Sequence, residues 1–322
     1  MTFAVSMDHL ALRQVFRIAR GAKTHADVLR VEVTRDGVTG QGECVPYARY
    51  GETEQTVRAQ INGLPAGLSR AALQDTLSPG AARNAVDCAL WDWEAKCAGV
   101  PAWQLAGLAK PGPVVTAYTL SLDEPAEMQV QAAEHAARPL LKVKLGGGPE
   151  DLDRIQAVRA GAPDAQIIVD ANEGWSAEEY TFLAPKFLDL GVAMVEQPFP
   201  AGGDDVLLGF HRMLPVCADE SCHDRASLAG LRGKYDMVNI KLDKTGGLTE
   251  ALALRDAALD EGFDVMVGCM VGSSLAMAPA LLVAQGASIV DLDGPLLLAE
   301  DRAPGLTYRD GQVYPAAPEL WG

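Results

Sequence analysis

No apolar run in this 322-residue chain approaches the roughly 18 residues that span a bilayer, so no membrane helix is expected. Residues 1–12 hold no charged segment followed by an apolar one. Asp8 and His9 interrupt the only candidate, so no signal peptide is expected either. Positive charge is scarce: 27 Lys and Arg against 43 Asp and Glu give a net charge of −16, with no basic block. That argues against nucleic-acid and anionic-membrane partners. It leaves small anions open, because a local lysine cluster and a metal override the global sign. Cys44, Cys88, Cys97, Cys217, Cys222 and Cys269 form no C-x-x-C pair. A reduced, cytoplasmic protein with mostly buried thiols is expected. H-E-x-x-H, the Walker loop, G-x-S-x-G and G-x-G-x-x-G are all missing, which removes the usual signals of zinc proteases, P-loop enzymes, α/β-hydrolases and dinucleotide enzymes.

What is present is a chain with 48% hydrophobic and 22% charged residues, enough for a large core. Its length suits two ordinary domains or one barrel with an appendage. Residues 1–110 read as an α+β unit. Val28 to Val33 alternates toward a turn at Asp36-Gly37, and Gly40 to Cys44 returns, which predicts a hairpin. Helices are predicted at 53–61 and 82–98, the second from an apolar stripe of Ala82, Val86, Ala89, Leu90, Trp93 and Cys97. Two polar loops, 17–24 and 43–52, carry cations and tyrosines and suit a lid over a site.

From residue 111 to 299 the pattern changes to strands alternating with helical segments. Strands are predicted at 114–120, 140–145, 167–170, 192–196, 216–219, 237–241, 265–268 and 289–291. Ser176-Ala177-Glu178-Glu179 is a capping box opening one of the helices. Steps of 26, 26, 23, 22, 27 and 23 residues lead from Lys144 through Asp170, Glu196, Asp219, Lys241 and Gly268 to Asp291. This is the βα repeat of a parallel barrel. A tail, 300–322, is expected to return to the first domain.

In Leu140-Leu141-Lys142-Val143-Lys144-Leu145 the two lysines share a strand face, roughly 6–7 Å apart. An isolated Lys-x-Lys is ordinarily a solvated strand face. Two ammonium groups at that spacing repel by about 2–2.5 kcal/mol at an effective dielectric of ~20, which is expected to lower a lysine pKa toward a useful base. Asp170, Glu196 and Asp219 end consecutive strands, where barrel enzymes place their chemistry. Three acids at strand spacing need a cation, and hard oxygen ligands without His or Cys favour Mg²⁺. Across the barrel stands Lys241. A metal between two lysine sides suits proton abstraction α to a carboxylate: the ion stabilises the enediolate, one lysine removes a proton and the other returns one.

These residues resemble the enolase superfamily, in its muconate-lactonising-like branch. The matching segments are Lys142-Val143-Lys144, Val169-Asp170-Ala171-Asn172-Glu173-Gly174-Trp175, Val195-Glu196-Gln197-Pro198, Ala218-Asp219-Glu220-Ser221 and Asn239-Ile240-Lys241-Leu242-Asp243-Lys244, in the family's order across essentially the whole chain. The resemblance implies an α/β fold: a (β/α)7β TIM-like barrel with an N-terminal α+β capping domain. It implies Asp170, Glu196 and Asp219 as Mg²⁺ ligands, Lys144 and Lys241 as the opposed acid/base pair, and Lys142 as an accessory lysine. Asp291-Leu292-Asp293 resembles the D-x-D motif with which dipeptide epimerases hold the substrate's α-ammonium group, and alternation would put both acids on one face of the last strand. The segment ending in Ser273 matches the same subgroup. Ser274, Leu275 and Ala276 follow where those enzymes often carry an acid, and Lys23 or Arg20, with Tyr47, stands in the position of a carboxylate-binding arginine only loosely. The implied activity is a Mg²⁺-dependent dipeptide epimerase of the L-Ala-D/L-Glu type, acting on a small molecule and forming a homo-oligomer. The alternative is an N-acylamino-acid racemase, for example of N-acetylglutamate. Cycloisomerase and o-succinylbenzoate synthase chemistry fit less well, because Asp291 and Asp293 are poor company for dianionic substrates. A silent ligand-binding barrel would not need all five charged groups.

Overall fold

Asp36 and Gly37 both adopt positive φ, 53° and 79°, the backbone that a tight two-residue hairpin turn requires. They join β2 (Gly21–Arg35) to β3 (Val38–Cys44), and β1 (Thr2–Ile18) pairs antiparallel on the other side of β2. The computed structural model describes residues 2–322. β1 is a 17-residue strand that sequence patterning did not reveal. As the edge strand it buries Phe3, Val5 and Met7 only in part, and a register shift between Ala11 and Phe16 breaks its alternation. The segment 17–24 is correspondingly not a loop: Arg17 and Ile18 end β1, Gly21 starts β2, and only Ala19 and Arg20 form the turn.

Leu29, Val31 and Val33 point from β2 into a small core shared with α1 (Glu54–Asn62), α2 (Arg70–Thr76) and α3 (Ala81–Ala98). α3 departs from a one-sided stripe. Every residue from Ala81 to Asp92 is buried, while Trp93 is half-buried and Cys97 exposed. The helix lies between the cap sheet and the barrel, so its polar face is covered as well.

After α4 (Ala102–Leu105) comes β4 (Val114–Val115), which pairs with the tail instead of the barrel. The predicted strand over 114–120 is therefore two strands. Barrel strand β5 (Tyr118–Leu120) is followed by α5 (Pro125–Glu134), β6 (Leu140–Lys144), α6 (Glu150–Gly161), β7 (Gln166–Asp170), α7 (Ala177–Asp189) and β8 (Val192–Glu196). Then come β9 (Val216–Ala218), β10 (Met237–Ile240), α8 (Leu242–Thr245), α9 (Leu248–Asp260), β11 (Asp264–Val267), α10 (Ser274–Val283), β12 (Ile289–Val290) and α11 (Gly294–Leu297). Short 3₁₀ turns at Asp204–Gly209 and Arg225–Gly230 replace two of the outer helices. The eight strands β5 to β12 are parallel neighbours in chain order. The Ala117 N–H donating to Val290 O at 2.8 Å closes the last against the first. Ser176 and Glu179 form the reciprocal capping box that starts α7. No helix among the described residues is long and apolar enough to cross a membrane, and all six cysteines are free.

The tail forms β13 (Tyr308–Arg309) and β14 (Gln312–Val313), the latter paired with β4. Its end reaches α3, where Trp321 Nε1 donates to Cys88 O at 3.0 Å. Arg302 donates to Asp8 Oδ2 at 2.6 Å and from Nε to Glu43 Oε2 at 2.9 Å. Glu43 is wholly buried and also accepts from the Ser273 N–H at 2.7 Å. Arg302→Met leaves that carboxylate without its cation. It is expected to lower unfolding free energy by about 3–5 kcal/mol in urea titrations, with Glu43→Gln in the same background recovering part of the loss.

Candidate active site

The pleat builds the site in rings. Leu140, Ile168, Met194, Cys217, Met237, Met266 and Ile289 form an apolar cluster inside the barrel. Two residues further along the chain from each, at or just past the strand ends, stand Lys142, Asp170, Glu196, Asp219, Asn239, Gly268 and Asp291. One more step of two gives Lys144 on β6 and Lys241 after β10. A filled barrel bottom thus carries a charged ring at the C-terminal ends of its strands.

Asp170, Glu196 and Asp219 are buried and each offers an oxygen within 4.8 Å of the others. Lys144 Nζ donates to Asp170 Oδ2 at 2.6 Å, and Lys241 Nζ to Asp219 Oδ2 at 2.7 Å. Lys142 Nζ lies 2.8 Å from Asp291 Oδ2 and 2.6 Å from Glu196 Oε2. Asn239 Nδ2 donates to Glu196 Oε1 at 2.6 Å, while Glu196 Oε2 has no donor in hydrogen-bonding orientation. Burial pushes Asp170 up, but Lys144 and Lys142 outweigh it and hold the acid down at about 2. Asp219 is likewise raised by burial and lowered further by Lys241 and Lys244, to well below its ordinary value. Glu196 alone of the three is raised, by burial and by Asp170. An all-oxygen triad with one frustrated carboxylate, whose buried Oε2 has the Lys142 ammonium beside it but no well-aligned hydrogen bond, fits a small divalent cation such as Mg²⁺.

The lysines correct one expectation. Burial lowers the Lys142 and Lys241 pKa values, but the facing carboxylates outweigh it: Asp291, Glu196 and Asp170 for Lys142, and Asp219 and Glu196 for Lys241. Both ammonium groups are held well above their ordinary value. For Lys142 the surrounding acids, not repulsion along the strand, set the sign of the shift.

A cavity of about 780 Å³ opens over this ring, within the usual range for small-molecule sites. Lys142, Lys144, Asp219 and Lys241 line its floor, Asp291 and Asp293 one wall, and Arg20, Lys23, Tyr47 and Tyr50 the cap side. β12 ends at Val290, so Asp291 and Asp293 do not share a strand face; Asp293 precedes α11. They meet at the cavity all the same. Asp293 Oδ2 accepts from the Thr119 N–H at 2.6 Å, and Asp291 Oδ1 is buried without a partner. Burial and the neighbouring Asp291 push Asp293 up to about 7. Ser273 does not line the cavity; its Oγ donates to Glu43 Oε2 at 2.5 Å and accepts from Arg302 Nε at 2.8 Å, within the cap–barrel contact.

Arg20 is engaged by the barrel: it donates to Glu220 Oε1 at 2.6 Å, Asn172 O at 2.9 Å and Glu173 Oε2 at 3.2 Å. Arg49 takes the same Glu173 at 2.8 and 2.9 Å. Lys23 makes no ion pair among the described residues, and its Nζ lies over the Tyr47 ring, 5.6 Å from the centroid. Glu220 and Lys244 were not singled out from the sequence. Glu220 faces the cavity beside Asp219 and is pushed up to about 7 by burial, Asp219 and Asp170. Their signal was position: each flanks a strand-end charge.

Two family models cover most of the chain. Residues 1–107 match the mandelate racemase / muconate lactonizing enzyme N-terminal domain, and residues 126–318 match the enolase C-terminal domain-like family. The chain belongs to the enolase superfamily. Among superfamily members of known activity, it is 47% identical over 309 residues to the L-Ala-D/L-Glu epimerase of Escherichia coli (strain K12), covering 94% of this chain and 96% of that one. It is also 47% identical over 290 residues to an N-acetyl-D-glutamate racemase from Pseudoalteromonas sp, covering 88% and 91%. A crystal structure of an enolase family member from Agrobacterium tumefaciens, with bound sodium and L-Ala-L-Glu, superposes with a TM-score of 0.97 at 52% identity over 99% of both chains. A dipeptide epimerase from Methylococcus capsulatus, complexed with Mg and L-Arg-D-Lys, superposes with a TM-score of 0.91 at 31% identity over 99% and 98%. The superfamily architecture and the all-carboxylate triad thus agree.

Proposed function

We propose that this chain is a Mg²⁺-dependent dipeptide epimerase that inverts the α-carbon of the C-terminal residue, most naturally a glutamate. The observation that carries the reading is the placement of Lys144 and Lys241. They stand at strands four places apart in a closed eight-stranded barrel, hence on opposite sides of the carboxylate triad and of one cavity. Cap residues 1–110 then form the lid and residues 111–299 the catalytic barrel.

Asp170, Glu196 and Asp219 would hold the metal, which supplies positive charge to the substrate carboxylate as the α-proton leaves. A cation on the triad would offset the carboxylates that otherwise hold the lysines protonated, and one lysine, in its neutral form, takes that proton on one face. The other, as ammonium, delivers one to the opposite face, so the centre inverts and the proton count is conserved. Lys142 ties Glu196 to Asp291 and holds the triad against the acidic wall. Asp291 Oδ1, buried and lacking a donor, would accept from the substrate's ammonium, with Asp293 beside it on the same cavity wall. Lys23, which makes no ion pair among the described residues, is the cap cation suited to a side-chain carboxylate, and Tyr47 borders it.

Proton NMR in D₂O with Mg²⁺, following L-Ala-L-Glu beside N-acetyl-L-glutamate, tests this. Loss of the dipeptide α-proton signal with appearance of L-Ala-D-Glu is expected. Exchange of the N-acetyl compound alone would support the racemase reading, which the Pseudoalteromonas relative favours, and exchange of neither would overturn both. The pH dependence follows from Asp293. Its carboxyl, pushed up to about 7, is protonated below that pH and then offers no charge to an ammonium group. The dipeptide KM is expected to rise as pH falls through about 7, and Asp293→Asn to flatten that rise.

A further inference from the structure

Lys241 immediately precedes α8, a helix of four residues, too short to hold its own shape. Its conformation is imposed from two sides. On the barrel side, Lys244 Nζ donates to Asp219 O at 2.5 Å, Asp219 Oδ1 at 2.7 Å and Asn239 O at 2.9 Å. On the cap side, α3 grips the same turn. Arg83 donates to Thr245 O at 2.6 Å and to Gly246 O at 3.2 Å. Asn84 Nδ2 donates to Asp243 Oδ1 at 2.9 Å, and that oxygen also accepts the Val45 N–H at 3.0 Å.

Asp87, one helical turn on, accepts from the Thr249 N–H at 2.9 Å. It thereby caps α9, whose own N-cap, Gly247, offers no side chain. The backbone between α8 and α9 is pressed against α3. Gly246 and Gly247 have φ of 74° and 111°. A Cβ on Gly246 would overlap the Arg83 guanidinium, and one on Gly247 would lie 2.5 Å from the Asp87 side chain. Only glycine satisfies both the conformation and the contact. Arg83, Asn84 and Asp87 are buried and none lines the cavity.

We infer that Arg83, Asn84 and Asp87 are positioning residues for Lys241: the capping domain sets one of the two acid/base lysines through α8 and leaves the other to the barrel. Lys144 lies in the β6–β7 ladder, opposite Asp170, and no α3 side chain named here hydrogen-bonds to that strand. The inference rests on the two-lysine reading, and it predicts an asymmetry. The two epimers present their α-protons to opposite lysines. Disturbing α8 slows proton removal from the epimer that faces Lys241 and spares the other.

The test measures initial α-proton exchange in D₂O with Mg²⁺, separately from L-Ala-L-Glu and L-Ala-D-Glu. Lys241→Ala identifies the epimer that depends on Lys241. Arg83→Met should then slow that epimer's exchange by about tenfold or more, since a misplacement near 1 Å can cost ~100-fold, while the other epimer stays within about twofold. Arg83→Lys, a milder change that keeps the charge, should give a smaller asymmetry of the same sign. Asp243→Ala should reproduce the asymmetry, and Asp243→Asn, which keeps the accepting oxygen, should largely rescue it. Equal slowing of both epimers, or no slowing, overturns the inference. If Lys144→Ala and Lys241→Ala themselves fail to separate the epimers, the two-lysine reading falls and this one with it. If they separate them and the Arg83 variants do not, only this inference falls.

Discussion

Lys144→Ala and Lys241→Ala are each expected to reduce epimerisation of L-Ala-L-Glu by at least about 10³-fold, within the ~10²–10⁴ attributed to a positioned acid or base. Each variant loses a different half of the reaction. One retains α-proton exchange from one epimer only, and the other from the opposite epimer, because inversion needs both faces while exchange needs one. The effect is not a general collapse of the site. Asp170 keeps Lys142 at 3.4 Å when Lys144 is removed, and Asp219 keeps Lys244 at 2.7 Å when Lys241 is removed. Each triad acid therefore retains a buried cation, and the metal site stays balanced. Full epimerase activity in either variant, measured by polarimetry or NMR, would remove that lysine from the mechanism.

Glu196→Gln is expected to act with opposite signs on metal binding and on the metal-free protein. Glu196 is the triad member raised by burial and by Asp170, and its Oε2 lacks a hydrogen bond. Taking away its charge relieves that repulsion, so the metal-free variant should be as stable as the parent or more so. It also removes one of three anionic ligands, so Mg²⁺ affinity should fall by about 100-fold or more. A ligand at 100 times its Kd stabilises a protein by about 2.7 kcal/mol. The parent should therefore show a clear Mg²⁺-dependent rise in Tm, which chelation reverses, and the variant almost none at the same concentration. Activity should be lost with it. A parent Tm indifferent to Mg²⁺, together with activity in excess chelator, would sink the metal assignment.

The charged ring was legible in the sequence for a local reason. Side chains alternate along a strand, and the βα repeat returns the chain to the same level every 22 to 27 residues. Lys144, Asp170, Glu196, Asp219, Lys241 and Asp291 recur at that spacing, and Lys142 shares the Lys144 face two residues earlier. Weak local signals hid other parts. β1 is an edge strand with a broken register, and the residues at 114–120 divide between the barrel and a strand that the distant tail recruits. Ser273 matches the subgroup by sequence yet serves the cap–barrel contact, because Glu43 and Arg302 come to it from positions 230 and 29 residues away.

The sequence by itself determined the barrel and its charged ring, since both depend only on residue type and short-range period, and the family resemblance singled out the five groups proposed to carry the chemistry. Tertiary structure decided the rest. Closure of the sheet puts Lys144 and Lys241 on opposite sides of the triad. The surrounding carboxylates set the sign of the lysine shifts. Arg20 is spent on Glu220 and Glu173, which leaves Lys23 to face the cavity. The polar face of α3 is joined to α8 across some 160 residues of chain. These are pairings between residues remote in sequence, and their distances follow from how the chain closes and packs, which no local pattern encodes.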